Sequence, residues 1–254
     1  MSLLDSGSPR ADLQDAAEPA VSRKARCQVT LLLPVLNEID GLRIVLPQVD
    51  RQFFTEILIV DGGSTDGSLE FADAQGIRVV RQTRQGLSFG VFDALREAQG
   101  DYVIEFSPDG NCLVEQLPHI VSLLEEGYDM VVVSRYLPPA RSEDDTWVTA
   151  IGNFLFTRMI RWLGRQPMTD ALTIYRGFHK DLALNPEFER YLVGPVFEPL
   201  LSAMAALRHR NVIEIPGDEP KRLGGKQKMR VIYNGSCVLL MILRMWLLRL
   251  GLRT

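Results

Sequence analysis

The sequence predicts an α/β fold in which a mostly parallel central sheet carries helices on both faces. Two segments and a rhythm predict it. Residues 57–60, Ile-Leu-Ile-Val, form a continuous apolar run, the pattern of a strand covered on both sides. They lead into Asp61, then Gly62, Gly63, Ser64, Thr65, Asp66 and Gly67, and a helix begins near Ser68 with Ser64 or Asp66 as its cap. Residues 29–33 form a second apolar strand, ended by Pro34 and followed by Asn37 and Glu38, after which Gly41, Leu42, Val45 and Leu46 mark another helix. Strand and helix then keep alternating, as they do in an open parallel sheet.

The later elements come in order. Residues 77–81 make a short strand, with Arg81 and Arg84 behind it, and a loop bearing Gly86 and Gly90 enters a helix over 91–98 that stops at Gly100. Residues 101–106 are the central strand, which runs into Ser107-Pro108-Asp109-Gly110-Asn111; Pro-Asp-Gly is a turn sequence in itself. A helix over 113–126 carries the apolar stripe Leu117, Ile120, Val121 and Leu124, and 129–134 is a buried strand followed by Arg135 and Tyr136. The polar loop 138–145 suits a mobile cover. Residues 147–163 form an amphipathic helix in which Phe154, Phe156, Met159, Ile160, Trp162 and Leu163 are interleaved with Arg158 and Arg161, with Arg165 just beyond. That pattern fits a membrane surface or a core-facing helix with a solvated basic face. Residues 211–215 make one more short strand.

The 254 residues give room for one large domain. Residues 1–25 lack an apolar core, so they read as a disordered tail and not as a signal peptide. Residues 26–229 form the main domain, and 230–254 a C-terminal amphipathic helix for a membrane surface or a dimer contact. The uncharged stretch from 231 to 243 falls short of the roughly 20 residues that span a bilayer. Arg244 and Arg249 interrupt the apolar residues beyond it, which predicts a helix lying in the interface. A formal charge of −4 argues against nucleic acid as a partner. Cys27, Cys112 and Cys237 show neither zinc spacing nor a disulfide framework, which points to a reducing cytoplasm.

Asp61 falls where ligands gather, outside the carboxyl end of a parallel strand. A carboxylate beside glycines suits the hydroxyls and ring nitrogens of a nucleoside better than a bare phosphate, because like charges repel. The segments Leu33-Pro34-Val35-Leu36-Asn37-Glu38 and Val60-Asp61-Gly62-Gly63-Ser64-Thr65-Asp66-Gly67 resemble the nucleotide-binding motifs of family 2 glycosyltransferases. The resemblance runs from about Cys27 to Met229 and is strongest to the branch holding dolichyl-phosphate mannose synthase and bacterial polyprenyl-phosphate sugar transferases.

The resemblance implies a GT-A fold, a nucleotide-diphosphate sugar as donor, and inverting transfer to a polyprenyl phosphate by a cytoplasmic enzyme held peripherally at a membrane face. Pro34, Leu36, Asn37, Glu38, Asp61, Gly62, Gly63, Ser64, Arg84, Gly86, Ser107 and Pro108 would line the donor nucleotide. The family's Asp-x-Asp metal signature falls on Ser107-Pro108-Asp109, where the first aspartate is replaced. Asp109, with Asn111 beside it, would then hold Mg²⁺ or Mn²⁺, a hard cation that takes its other oxygens from phosphates and water. Arg135 matches the family's Ser-Arg-Tyr segment. Asp170 and Arg176 keep the charged ends of a family segment whose middle, Leu172 to Tyr175, is bulkier here. Arg222, Gly225 and Lys228 keep the register of a basic loop in which Gln227 replaces a serine. Arg135, Arg176, Arg222, Gly225, Gln227 and Lys228 would grip phosphates, and Asp109, Asp170 and Glu198 would be the catalytic acids. Two other readings remain: a soluble metal-dependent transferase acting on a hydroxyl, in which Asp170 or Glu198 takes a proton, and an inactive nucleotide-sugar binding protein. A homo-oligomer is compatible with each.

Overall fold

The computed structural model describes residues 27–223 and 230–250. Its elements are β1 (Val29–Val35), α1 (Ile39–Val45), β2 (Glu56–Asp61), α2 (Ser68–Ala74), β3 (Arg78–Arg81), α3 (Leu87–Glu97), β4 (Tyr102–Glu105), α4 (Leu117–Glu126), β5 (Met130–Ser134), α5 (Trp147–Gly164), β6 (Arg176–His179), α6 (Pro186–Tyr191), α7 (Phe197–Leu207), β7 (Val212–Pro216) and α8 (Val231–Arg249). The strands form one sheet in the order β3-β2-β1-β4-β6-β5-β7. Among them β6 alone runs against its neighbours; every other pairing is parallel.

Alternation along the strands sorts side chains to two cores. Leu32, Leu58, Val60, Val103, Val132 and Phe178 meet α3, α5, α6, α7 and α8 on one face. Leu31, Leu33, Ile59, Ile104 and Val131 meet α1, α2 and α4 on the other. This is the predicted sandwich of a mostly parallel sheet between helices. Because β1, β2, β4, β5 and β7 point the same way, their carboxyl ends and the loops after them share one rim.

β6 is the strand that the sequence does not announce. Arg176-Gly177-Phe178-His179 has neither a long apolar run nor alternation, and its glycine reads as a breaker. It becomes a strand because β4 and β5 leave a gap that an antiparallel segment fills. The predicted tail, residues 1–25, lies outside the described residues.

On the helical side α5 crosses α7 with almost no space between backbones. A Cβ on Gly164 would lie 1.9 Å from the carbonyl oxygen of Ala206. Gly164→Ala is expected to force the two helices apart and destabilise the protein by about 1–3 kcal/mol. Thermal unfolding reads this as a Tm lowered by several degrees; an unchanged Tm would contradict the contact.

Candidate active site

The rim is built from loops that hold one another. Asn37 sits in the left-handed region at φ 56°, where asparagine is tolerated. Its backbone N–H donates to Ser64 Oγ at 3.0 Å, and its side-chain oxygen accepts from Thr65 N at 2.8 Å. Glu38 N donates to Ser68 Oγ at 3.2 Å and Ile39 N to Asp66 Oδ2 at 3.0 Å, while the other Asp66 oxygen accepts from Ser68 N at 3.0 Å. The starts of α1 and α2 are thus tied through Asp66 and Ser68, so Asp66, not Ser64, serves the first turn of α2. Asp61 is buried at the end of β2 and accepts from Gly63 N at 2.9 Å and Ser64 N at 3.0 Å. Each of its oxygens keeps further acceptor capacity. Gln82 holds the Gly62 carbonyl at 3.2 Å. Pro34 and Leu36 lead into this rim from β1, and Gly86 stands before α3.

The chain beyond β4 passes through Ser107 and Pro108 to Asp109, which is buried. Asp109 Oδ1 accepts from Asn111 N at 3.2 Å. Asn111 Nδ2 donates to Asp144 at 3.1 Å, and Asn111 Oδ1 is buried without a hydrogen-bond partner. α1 supports this turn from below: a Cβ on Gly41 would lie 2.2 Å from the Pro108 carbonyl oxygen, so only glycine lets the two backbones meet. No cluster of three His, Cys, Asp or Glu side chains suited to a metal occurs among the described residues. The donors at hand are therefore one carboxylate and one orphaned amide oxygen, a set that fits a hard cation completed by phosphate and water oxygens.

Two arginines answer the rim's acids. Arg222 lies 3.6 Å from Asp109 Oδ2 and 3.1 Å from Asp144, and Leu223 N donates to the Asp109 carbonyl at 2.8 Å. The segment after β7 thus folds over the metal-ligand candidates. Gly225, Gln227 and Lys228 lie outside the described residues. Arg135 grips Asp170 through Nε at 2.7 Å and Nη2 at 3.0 Å, and reaches Glu219 at 3.3 Å. Asp170 is fully buried, and Glu214 on β7 fixes its segment by accepting from Thr169 N at 2.8 Å and Asp170 N at 3.0 Å. Ser142 also bonds Glu219, and Glu143 N meets the Glu219 carbonyl at 2.9 Å. The loop expected as a mobile cover is therefore fastened to the segment after β7.

Other expectations are redirected. Arg176 does not face a phosphate. It is fully buried, and its guanidinium is saturated by the carbonyls of Thr173 (2.8 Å), Ala171 (3.2 Å) and Glu198 (3.1 Å) and by Ser202 Oγ (2.8 Å). It is a buried tie between the Asp170 segment and α7. Arg84 pairs with Asp93 at 2.7 Å and lies over the Phe89 ring, so its charge is already answered within the chain. Glu198 stands in the first turn of α7, where burial pushes its carboxyl above the usual range while Arg176 opposes the shift.

Glu105, by sequence an ordinary residue of the central strand, is paired across the sheet with Arg176 and has neither carboxylate oxygen hydrogen-bonded. Burial, and then the nearby Glu198 charge, push its carboxyl well above the usual range. Its folded-state affinity for a proton exceeds that of the unfolded chain. Its contribution is therefore favourable in acid and is lost as pH rises through the folded-state value. Glu105→Gln removes that dependence. Its Tm should fall less than that of the parent between about pH 5 and pH 8, with the two curves meeting near pH 4, below the ordinary glutamate value. Parallel curves across that range would show that Glu105 is ionised in the folded protein.

The comparisons agree with this architecture. The family model "Glycosyl transferase family 2" matches residues 30–184. Glycosyltransferase AglJ of Haloferax volcanii is 30% identical over 158 residues, which are 62% of this chain and 52% of that one, so the match spans about half of that relative. The dolichyl-phosphate hexose transferase of the same organism is 27% identical over 212 residues, covering 83% of this chain and 90% of that one. Among solved structures, glucosyl-3-phosphoglycerate synthase from Mycobacterium tuberculosis, in complex with Mn²⁺, UDP and glucosyl-3-phosphoglycerate, superposes with a TM-score of 0.64 at 19% identity over 91% of this chain and 82% of that one. That last likeness speaks for the fold. With the family model matched from β1 through β6, six of the seven strands, the chain belongs to glycosyl transferase family 2, and it is a glycosyltransferase of the GT-A fold.

Proposed function

We propose that the chain moves a sugar from a uridine or guanosine diphosphate donor to a polyprenyl phosphate, with inversion at the anomeric carbon. The observation that carries this reading is the state of Asp170, one of the two acids, with Glu198, that would have to take a proton from a hydroxyl acceptor. It is fully buried and held by two guanidinium nitrogens of Arg135. A hydroxyl acceptor must lose a proton to such a group, whereas a phosphate arrives already anionic and needs none. The name of the dolichyl-phosphate hexose transferase relative supports the same acceptor class.

In this reading Asp61 accepts from the base or ribose, and Asn37, Glu38, Gly62, Gly63, Ser64 and Gly86 shape the pocket around the nucleoside. Pro34, Leu36, Ser107 and Pro108 complete it. Asp109 and the Asn111 amide oxygen would hold Mg²⁺ or Mn²⁺, which neutralises the diphosphate as it departs. Arg222 would meet the phosphates, and Gly225, Gln227 and Lys228, which follow it in the sequence, are assigned the same role. Arg135 stands beside the acceptor with part of its donor capacity spent on Asp170 and Glu219. An acceptor phosphate oxygen attacks the anomeric carbon and forms the new C–O bond. The old C–O bond breaks, and its electron pair leaves with the nucleoside diphosphate. No proton moves.

The test pairs a polyprenyl phosphate with the matching polyprenol, each offered with a panel of uridine and guanosine diphosphate hexoses. Transfer is expected to the phosphate alone and to cease with chelator. Asp109→Ala should lower kcat by about a hundredfold or more, the scale of losing one preorganised electrostatic partner. Comparable transfer to the polyprenol or to a soluble sugar hydroxyl would overturn the acceptor. Donor binding without transfer to any acceptor would favour an inactive binding protein.

A further inference from the structure

α8 is apolar on two sides, yet only one of them is covered. Val238, Met241, Ile242 and Met245 face the core. Ile232, Leu239, Leu240, Leu243 and Leu247 form a second stripe that is exposed, Ile232 at 87%. α5 repeats the pattern. Ile160 and Leu163 are buried, while Trp147 (77% exposed), Ile151, Phe154 (63%), Leu155 and Trp162 point outward. The two helices touch: Phe156 lies against Gly235, and Arg249 bonds the Trp162 carbonyl. An exposed apolar surface on this scale marks an interaction site.

Charge decides what covers it. Neither helix contains an aspartate or a glutamate, although the whole chain carries a formal charge of −4. The exposed charges on the pair are Arg158, Arg161, Arg244 and Arg249, and Arg158 lies over the Trp162 ring at 5.4 Å. A second copy of the chain, docked symmetrically, would bring the same arginines and no carboxylate to meet them. An anionic bilayer surface offers acyl chains to the aromatics and phosphates to the guanidinium groups. No helix among the described residues is long and apolar enough to cross a membrane, which leaves lying on it.

We infer that α5 and α8 together form a platform that docks on an anionic lipid surface and sets the catalytic rim at its edge. This rests on the proposed acceptor for its purpose, though not for its geometry. The rim adjoins the platform: Thr146 caps α5 directly after Asp144 and Asp145, and Ala171 N donates to Thr157 Oγ1 of α5 at 3.0 Å. The Asp170 segment is thus carried on the inner side of the helix whose outer side is the docking face.

The full chain is sedimented with vesicles of phosphatidylcholine alone and of phosphatidylcholine with phosphatidylglycerol. Binding is expected to the anionic vesicles and to fall roughly fivefold for each of Arg158→Ala and Arg161→Ala. Phe154→Asp and Leu243→Asp, at exposed positions that leave the cores intact, should each weaken it about tenfold or more. A protein that stays in solution with anionic vesicles overturns the platform. So does one whose aspartate variants dissociate a dimer in ultracentrifugation while vesicle binding is unaltered. Vesicle binding with no transfer to polyprenyl phosphate upholds the platform and rejects the acceptor. Transfer to detergent-dispersed polyprenyl phosphate without vesicle binding does the reverse.

Discussion

Two guanidinium groups keep the acidic rim of the sheet together. Arg222 sits between Asp109 and Asp144, and Arg135 between Asp170 and Glu219. Four carboxylates drawn from four separate segments would otherwise repel across a partly desolvated cleft. Leaving one partner of a buried ion pair unanswered costs about 3–5 kcal/mol. Counted formally, four carboxylates against two guanidinium groups leave this set negative, which suits a divalent cation. In the proposed reading the same pairing keeps Asp170 from acting as a base, and the acceptor brings its own negative charge.

The sheet topology explains why these residues meet at all. Parallel strands deliver the Asn37, Asp61, Asp109 and Arg135 loops to one rim, and the single reversed strand β6 delivers the Asp170 segment to the same place from the opposite direction. Burial then fixes each loop. Asp66 and Ser68 lace the first two loops, Gly41 supports the Pro108 turn, Glu214 holds Thr169, and Arg176 ties the Asp170 segment to α7. The diphosphate chemistry proposed for this site would need such rigidity, because its charges act only when placed beforehand.

Much of this is legible in the sequence. The apolar runs at β1, β2 and β5 are long enough to mark buried parallel strands, and Asp61 and Asp109 stand where such strands end. The features that stay hidden depend on partners distant in the chain. β6 is a strand only because β4 and β5 flank it. Arg176 has the look of a phosphate ligand until four carbonyl and hydroxyl oxygens are found around it. Glu105 sits in an ordinary strand position, and nothing local shows that its carboxyl lacks a hydrogen bond. Asp144 and Glu219 lie in polar loops, where acids are commonplace, and gain their role only through Arg222 and Arg135. The docking face is an intermediate case. The arginines and aromatics of α5 and α8 are plain in the sequence, but their joining into one surface is a tertiary fact.

In the proposed reading Asp109 and Asn111 are the chain's own share of a metal site, and the chemistry turns on them. Anomalous diffraction from crystals grown with Mn²⁺ and a nucleoside diphosphate tests this most directly. The expected result is one manganese peak ligated by an Asp109 carboxylate oxygen and by Asn111 Oδ1, with phosphate oxygens filling the remaining positions and Arg222 still within reach of Asp144. A peak held by Asp61 or another acid, with Asp109 paired to Arg222 alone, would contradict it.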